Sequence, residues 1–192
     1  MTRHFAPLTL TQLAAGARLA DLAPPAHVSL DDPAVAVMAD LREFRAAFIA
    51  PERTIDEAHA AMIGRGVRLL FVLDDSRAIA GVFTMTDLMG ERPMHFMQTR
   101  GVKRSEVLVS DLMTPAPRLE AVSMTEVAQM RVGHIVATLK GVGRQHILAA
   151  EDNGRRICGI FSTQRIARQL GLDLETMAVA QTFAEIEAAL AH

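Results

Sequence analysis

Tryptophan and tyrosine are absent from this sequence, and eight phenylalanines are its whole aromatic complement. The interior must therefore be filled by its eleven methionines and many Ala, Val, Ile and Leu residues. Cysteine occurs once, as Cys158, which rules out an intrachain disulfide and fits a reducing cytoplasm. No apolar run reaches the roughly 18 residues of a membrane span. The N-terminal stretch "MTRHFAPLTLTQLAAGARLADLAPP" lacks the continuous apolar segment of a signal peptide. Neither sign of charge prevails: 20 Lys and Arg face 22 Asp and Glu, so no broad field for nucleic acid is implied. The seven histidines (4, 27, 59, 95, 134, 146 and 192) form no metal-ligand spacing. No nucleophile elbow and no positioned acid pair is found, so nothing suggests catalysis. Cys158 precedes Gly159 on an expected buried strand and reads as a small core residue.

What is present is a hydrophobic half and an internal repeat. Half of the 192 residues are apolar, enough for one compact domain or two small intimate halves. "GVFTMTD" (81–87) is echoed by "GIFSTQR" (159–165). "RLLFVLDD" (68–75) parallels "QHILAAED" (145–152), with Leu70 falling on Ile147. "RTIDEAHAAM" (53–62) parallels "VSMTEVAQMR" (122–131) at an offset of 69, against 77 and 78 for the strands. The difference places an insertion in the second copy at "VATLKGVGR" (136–144). The two glycines of "KGVGR" read as a helix end and turn rather than a phosphate loop.

Each copy reads helix, strand, strand, helix. Thr54 and Ser123 are expected N-caps, each followed three residues later by a glutamate, Glu57 and Glu126. "IDEAHAAMIGRG" and "MTEVAQMRVGHIVATLKG" are each expected to form one helix ended by glycine. "LLFVL" and "AIAGVFT" form a hairpin, as does "RICGIFS" after the turn "EDNGR". Helices then start at "TDLMG" and "TQRIARQLG". Residues 10–23 form a possible short helix before Pro24 and Pro25, and residues 173–192 an acidic amphipathic tail.

"Met-Thr-Pro" at 113–115, a capped helix, a hairpin and Gly-x-x-Thr-x-x-Asp leading into a helix together resemble the cystathionine-β-synthase (CBS) domain. Two tandem copies over roughly 34–170 resemble the CBS pair, or Bateman module. With no catalytic domain in view, the chain resembles the stand-alone CBS-pair proteins. The resemblance implies an α/β (α+β) fold of two βαββα repeats, packed sheet to sheet with pseudo-twofold symmetry. It divides the chain into an N-terminal extension (1–33), repeat 1 (34–90), a connector (91–109), repeat 2 (110–170) and a C-terminal helical tail (171–192). It also implies two clefts between the repeats, an adenosyl ligand (AMP, ADP, ATP or S-adenosylmethionine) and a homodimer that signals to a protein partner by changing shape.

The frame itself carries chemistry. Asp87 offers a carboxylate able to accept from both hydroxyls of a ribose, and the Thr84 hydroxyl stands one helical turn before it. Gly81 would let a ligand approach the strand closely. Thr84 and Asp87 equally fit a helix cap, and the two roles are compatible. Arg165, at the end of the second frame, donates only, so one competent adenosine site is expected. The Ser162–Arg165 cleft is then empty or holds an anionic group such as a phosphate.

By position in the family, the same cleft takes Arg68, Leu69, Leu70, Ser123, His146 and Ile147, with Arg68 and His146 as partners for a phosphate. A ligand-free dimerisation scaffold is the other reading. A helix–turn–helix over 165–181 is a third, opposed by the lack of Lys or Arg after Arg168 and by four acids beyond it.

Overall fold

The computed structural model describes residues 27–171, together with Gln12. The expected helix at 10–23, the tail at 173–192 and most of the 165–181 segment lie outside the described residues. Repeat 1 begins with strand β1 (Ala39–Asp40) and β2 (Phe48–Ile49), followed by helix α1 (Ile55–Arg65). The hairpin β3 (Leu69–Leu73) and β4 (Ile79–Thr84) comes next, then α2 (Met85–Met89). Helix α3 (Arg92–Arg100) occupies the stretch expected as connector. Repeat 2 has α4 (Val109–Leu112), β5 (Thr114–Pro115), β6 (Ala121–Ser123), α5 (Met124–Val127) and α6 (Val132–Val142). It closes with β7 (His146–Glu151), β8 (Arg156–Ser162) and α7 (Thr163–Gln169).

The strands form two four-stranded sheets, ordered β2-β3-β4-β5 and β1-β8-β7-β6. Each has an antiparallel hairpin at its centre and a parallel strand on one edge. The other edge strand is borrowed. β5, which leads into repeat 2, pairs with β4 of repeat 1, and β1, which leads into repeat 1, pairs with β8 of repeat 2.

The exchange explains the glycine of the repeated frame. A Cβ on Gly81 would overlap the carbonyl oxygen of Thr114 and lie 3.1 Å from Met113 Sδ. A Cβ on Gly159 would overlap the Met38 side chain, 2.8 Å from its Cγ. Both glycines leave room for the other repeat's incoming strand. The expectation that Gly81 admits a ligand is corrected accordingly: protein fills that space.

The helix expected over 124–141 is broken in two. Arg131 is extended (φ −107°, ψ 163°) and caps α6, which runs to a left-handed glycine at 143 rather than 141 (φ 62°). α6 matches α1 at an offset of 77 over eleven residues, so the extra residues precede it. The insertion therefore lies between β6 and α6, not at 136–144. Glu57 corresponds to His134, which takes up the Arg131 N–H as Glu57 takes up that of Thr54 (3.1 and 2.9 Å). Ser123 does cap a helix, the four-residue α5, but its oxygen accepts from the Thr125 N–H and Glu126 completes no box. Thr54 and Glu57 form the full reciprocal box.

Strand alternation sets the core. Leu70 and Val72 turn toward α1 with Ile55, Ala58 and Met62, all fully buried. Ile147 and Ala149 turn toward α6 with Ile135 and Leu139. Leu69, Phe71, Val82 and Leu148 meet between the sheets. Val28 and Leu30 of the N-terminal extension pack on the second repeat, with hydrogen bonds from the Val28 N–H to Gln169 O and from the Gly133 N–H to Leu30 O. No helix among the described residues is long and apolar enough to cross a membrane.

Candidate functional site

Between the two sheets, at the end where β4 turns into α2, lies a cleft of about 370 Å³. Repeat 1 contributes Leu69, Val82, Thr84, Thr86 and Asp87. The segment entering repeat 2 adds Thr114, Leu119 and Glu120. Repeat 2 closes the cleft with residues 143–146 and Leu148. Apolar walls thus face a small set of convergent polar groups, the usual make-up of a small-molecule site.

Thr84 and Asp87 are held by local geometry. Thr84 caps α2 and its hydroxyl accepts from the Asp87 N–H (3.3 Å). Asp87 Oδ2 accepts from the Thr84 N–H (2.9 Å) and hydroxyl (2.7 Å). Its other oxygen, Oδ1, accepts from the Arg92 guanidinium at 2.5 Å. Asp87 is 8% exposed, so this is a carboxylate taken largely out of water and held by three hydrogen bonds within the protein. Arg92 was not anticipated from the sequence, although it stands only five residues beyond Asp87.

His146 reaches the cleft from β7, half-buried. Loss of solvent, reinforced by the positive charge of Arg68, lowers its pKa to about 4. The imidazole is therefore neutral near pH 7 and brings a hydrogen-bonding ring, not a cation, to the cleft. Arg144 is the cation that lines the cleft, paired with Glu120 at 3.1 Å. Neither was anticipated.

Other expected residues fall elsewhere. Leu70 and Ile147 face the helices, because neighbours in a strand point to opposite sides and Leu69 and His146 already take the cleft side. Arg68 is exposed and does not line this cleft. Its carbonyl accepts from the Met85 N–H as that of Gln145 does from the Thr163 N–H, so Arg68 is the pseudo-symmetric counterpart of Gln145. Arg68 thus belongs beside the second frame, and Gln145 takes its place here. Ser123 lines a different groove of about 1080 Å³, near the hairpin tips. At the second frame, Ser162 accepts from the Arg165 N–H at 3.4 Å. His146 pairs with Ser162 across the sheet as Leu69 pairs with Thr84. Cys158 is buried, and its thiol pKa is raised first by burial and then by Glu151. Among the described residues no three His, Cys, Asp or Glu side chains converge as metal ligands.

The fold is shared with known proteins. Residues 20–93 match the CBS domain family model. A conserved protein from Pyrococcus horikoshii superposes with a TM-score of 0.57 at 21% identity, over 78% of this chain and 100% of its own. A CBS-domain protein from Agrobacterium tumefaciens gives 0.52 at 18%, over 67% and 88%. CBSX2 of Arabidopsis thaliana, solved in complex with AMP, gives 0.50 at 19%, over 71% and 94%. No curated protein sequence matches the chain. At these identities the likeness is one of fold. The chain thus has the fold of the CBS-domain pair.

Proposed function

We propose that this chain is a non-catalytic regulatory module that binds an adenosyl ligand (AMP, ADP, ATP or S-adenosylmethionine) in the cleft of Thr84 and Asp87. One observation carries the reading. A mostly buried carboxylate beside a capping threonine opens onto a cleft that neither repeat could form alone. Asp87 would accept from the ribose hydroxyls, and Leu69, Val82 and Leu148 would flank the base. Arg144 would meet a phosphate if one is present. The AMP complex of CBSX2, a protein of the same fold, supports this class of ligand.

Because the cleft is walled by both repeats, residues 34–90 and 110–170 in our division, a ligand that fits one relative placement better would shift the pair toward it. A homodimer in the cytoplasm passing that change to a protein partner completes the proposal. One observation favours the alternative of a ligand-free scaffold: Thr84 and Arg92 already satisfy the Asp87 carboxylate.

Thermal shift with AMP, ADP, ATP, S-adenosylmethionine and NAD separates the two. A ligand at a hundredfold excess over Kd stabilises the native state by about 2.7 kcal/mol. A rise in Tm with one ligand, lost in Asp87→Asn, supports the sensor. A folded protein that responds to none supports the scaffold.

A further inference from the structure

We propose that Arg92 is a built-in competitor for the ribose seat, so that an adenosyl ligand binds only by drawing Asp87 away from it. The inference rests on the adenosyl reading above. A carboxylate has about four lone-pair positions. In this structure Oδ2 spends two on the Thr84 N–H and hydroxyl, and Oδ1 spends one on Arg92. One position remains on Oδ1, whereas a cis-diol donates twice. A bidentate ribose therefore requires the guanidinium to leave. Thr84 yields less readily, because its backbone N–H is fixed by the turn into α2 and its hydroxyl is engaged twice in the reciprocal cap, accepting from the Asp87 N–H while donating to Oδ2.

The departure is feasible and directional. The Arg92 side chain is 53% exposed against 11% for Asp87, so water can receive the arginine but not the carboxylate. Arg92 opens α3, whose next residue, Pro93, is buried and whose Phe96 and Met97 pack on the core of repeat 1. Arg92 also lines a second, open pocket of about 310 Å³ with His95, Phe96, Arg100 and Asp111. Release of Asp87 thus leaves the guanidinium at the mouth of that pocket. Occupancy of the cleft is thereby written onto the exposed start of α3, a helix outside both sheets.

Calorimetric titration with adenosine tests this, because an uncharged probe has no ionic attraction to arginine. Wild type, Arg92→Met (which keeps the aliphatic stem) and Asp87→Asn are compared, with circular dichroism as the check of folding. Removing the competitor should tighten adenosine binding about tenfold, the order expected of one charge-assisted hydrogen bond. Raising the salt concentration should tighten wild type and leave Arg92→Met unchanged, since screening weakens only the pair. Equal affinity in wild type and Arg92→Met would overturn the competitor and leave the adenosine site standing. Weaker binding in Arg92→Met would overturn it too, by making Arg92 a ligand contact. No binding of adenosine by either folded protein would overturn this inference, and silence in the thermal-shift panel as well would remove the adenosyl reading with it.

Discussion

Gly81 and Gly159 hold equivalent places in the two repeats, yet replacing each by alanine should have unequal consequences. At Gly81 the new methyl meets backbone: the Thr114 carbonyl, with Pro115 Cα at 3.2 Å. A strand held by its own ladder, Gly81 to Pro115 and Val82 to Thr114, cannot step aside without losing those pairs. Overpacking of this kind costs about 2–3 kcal/mol, which in a chain of this size lowers Tm by about 5–10 °C. At Gly159 the methyl meets the Met38 thioether, a flexible side chain that can change rotamer. The cost there should be about 1 kcal/mol, offset in part by the smaller freedom of alanine in the unfolded chain. Urea or thermal unfolding of both variants gives the difference directly. Gly81→Ala should also distort the cleft, since Thr114 is one of its walls, and so weaken any ligand beyond its effect on stability. Equal stability of the two variants, or a greater loss in Gly159→Ala, would refute the argument that the Thr114 backbone is rigid where the Met38 side chain gives way.

Three further outcomes are expected. The unfolded His146 imidazole takes a proton near pH 6.5 and the folded one only near 4, so between these values the unfolded state binds more protons. Stability should therefore be full above about pH 6.5 and fall as the pH drops toward 4, with a flatter profile for His146→Gln in pH-dependent urea melts. Asp87→Ala should cost about 1–2 kcal/mol in chemical unfolding without any ligand, as it strips the α2 cap and leaves Arg92 unpaired; Asp87→Asn should cost less. Thr54→Ala should destabilise by about 1 kcal/mol and Ser123→Ala by clearly less, since one belongs to a reciprocal box and the other makes a single bond.

The hairpins and their frames were legible in the sequence because a short apolar run, a turn and a terminal hydroxyl each have one local meaning. Thr84 and Asp87 were legible because the capping hydroxyl recurs in a fixed frame, followed one turn later in the first copy by a carboxylate. Strand exchange was not, since β1 and β5 are two residues each and owe their state to a partner far along the chain. The first helix of repeat 2 was misaligned because Ser-x-x-Glu imitates the box of Thr54, whereas the true counterpart uses His134 as acceptor. Leu70 and Ile147 could have been excluded from the cleft by alternation alone. Arg68 could not, because its type fits a phosphate and only the pseudo-twofold relation assigns it to the other side. The Arg92 contact depends on where α3 begins relative to α2, which no local pattern encodes.

The borrowed edge strands also bear on how such a molecule could arise. Cut between its repeats, either half would bring an edge strand suited to another sheet and leave its own sheet one strand short. A half-length ancestor could complete itself only by joining a second copy, each lending its first strand to the other. Duplication within one gene would then preserve an obligatory partnership while freeing the two seats to diverge. In this protein that freedom is visible at one pair of positions, where one copy carries aspartate and the other arginine.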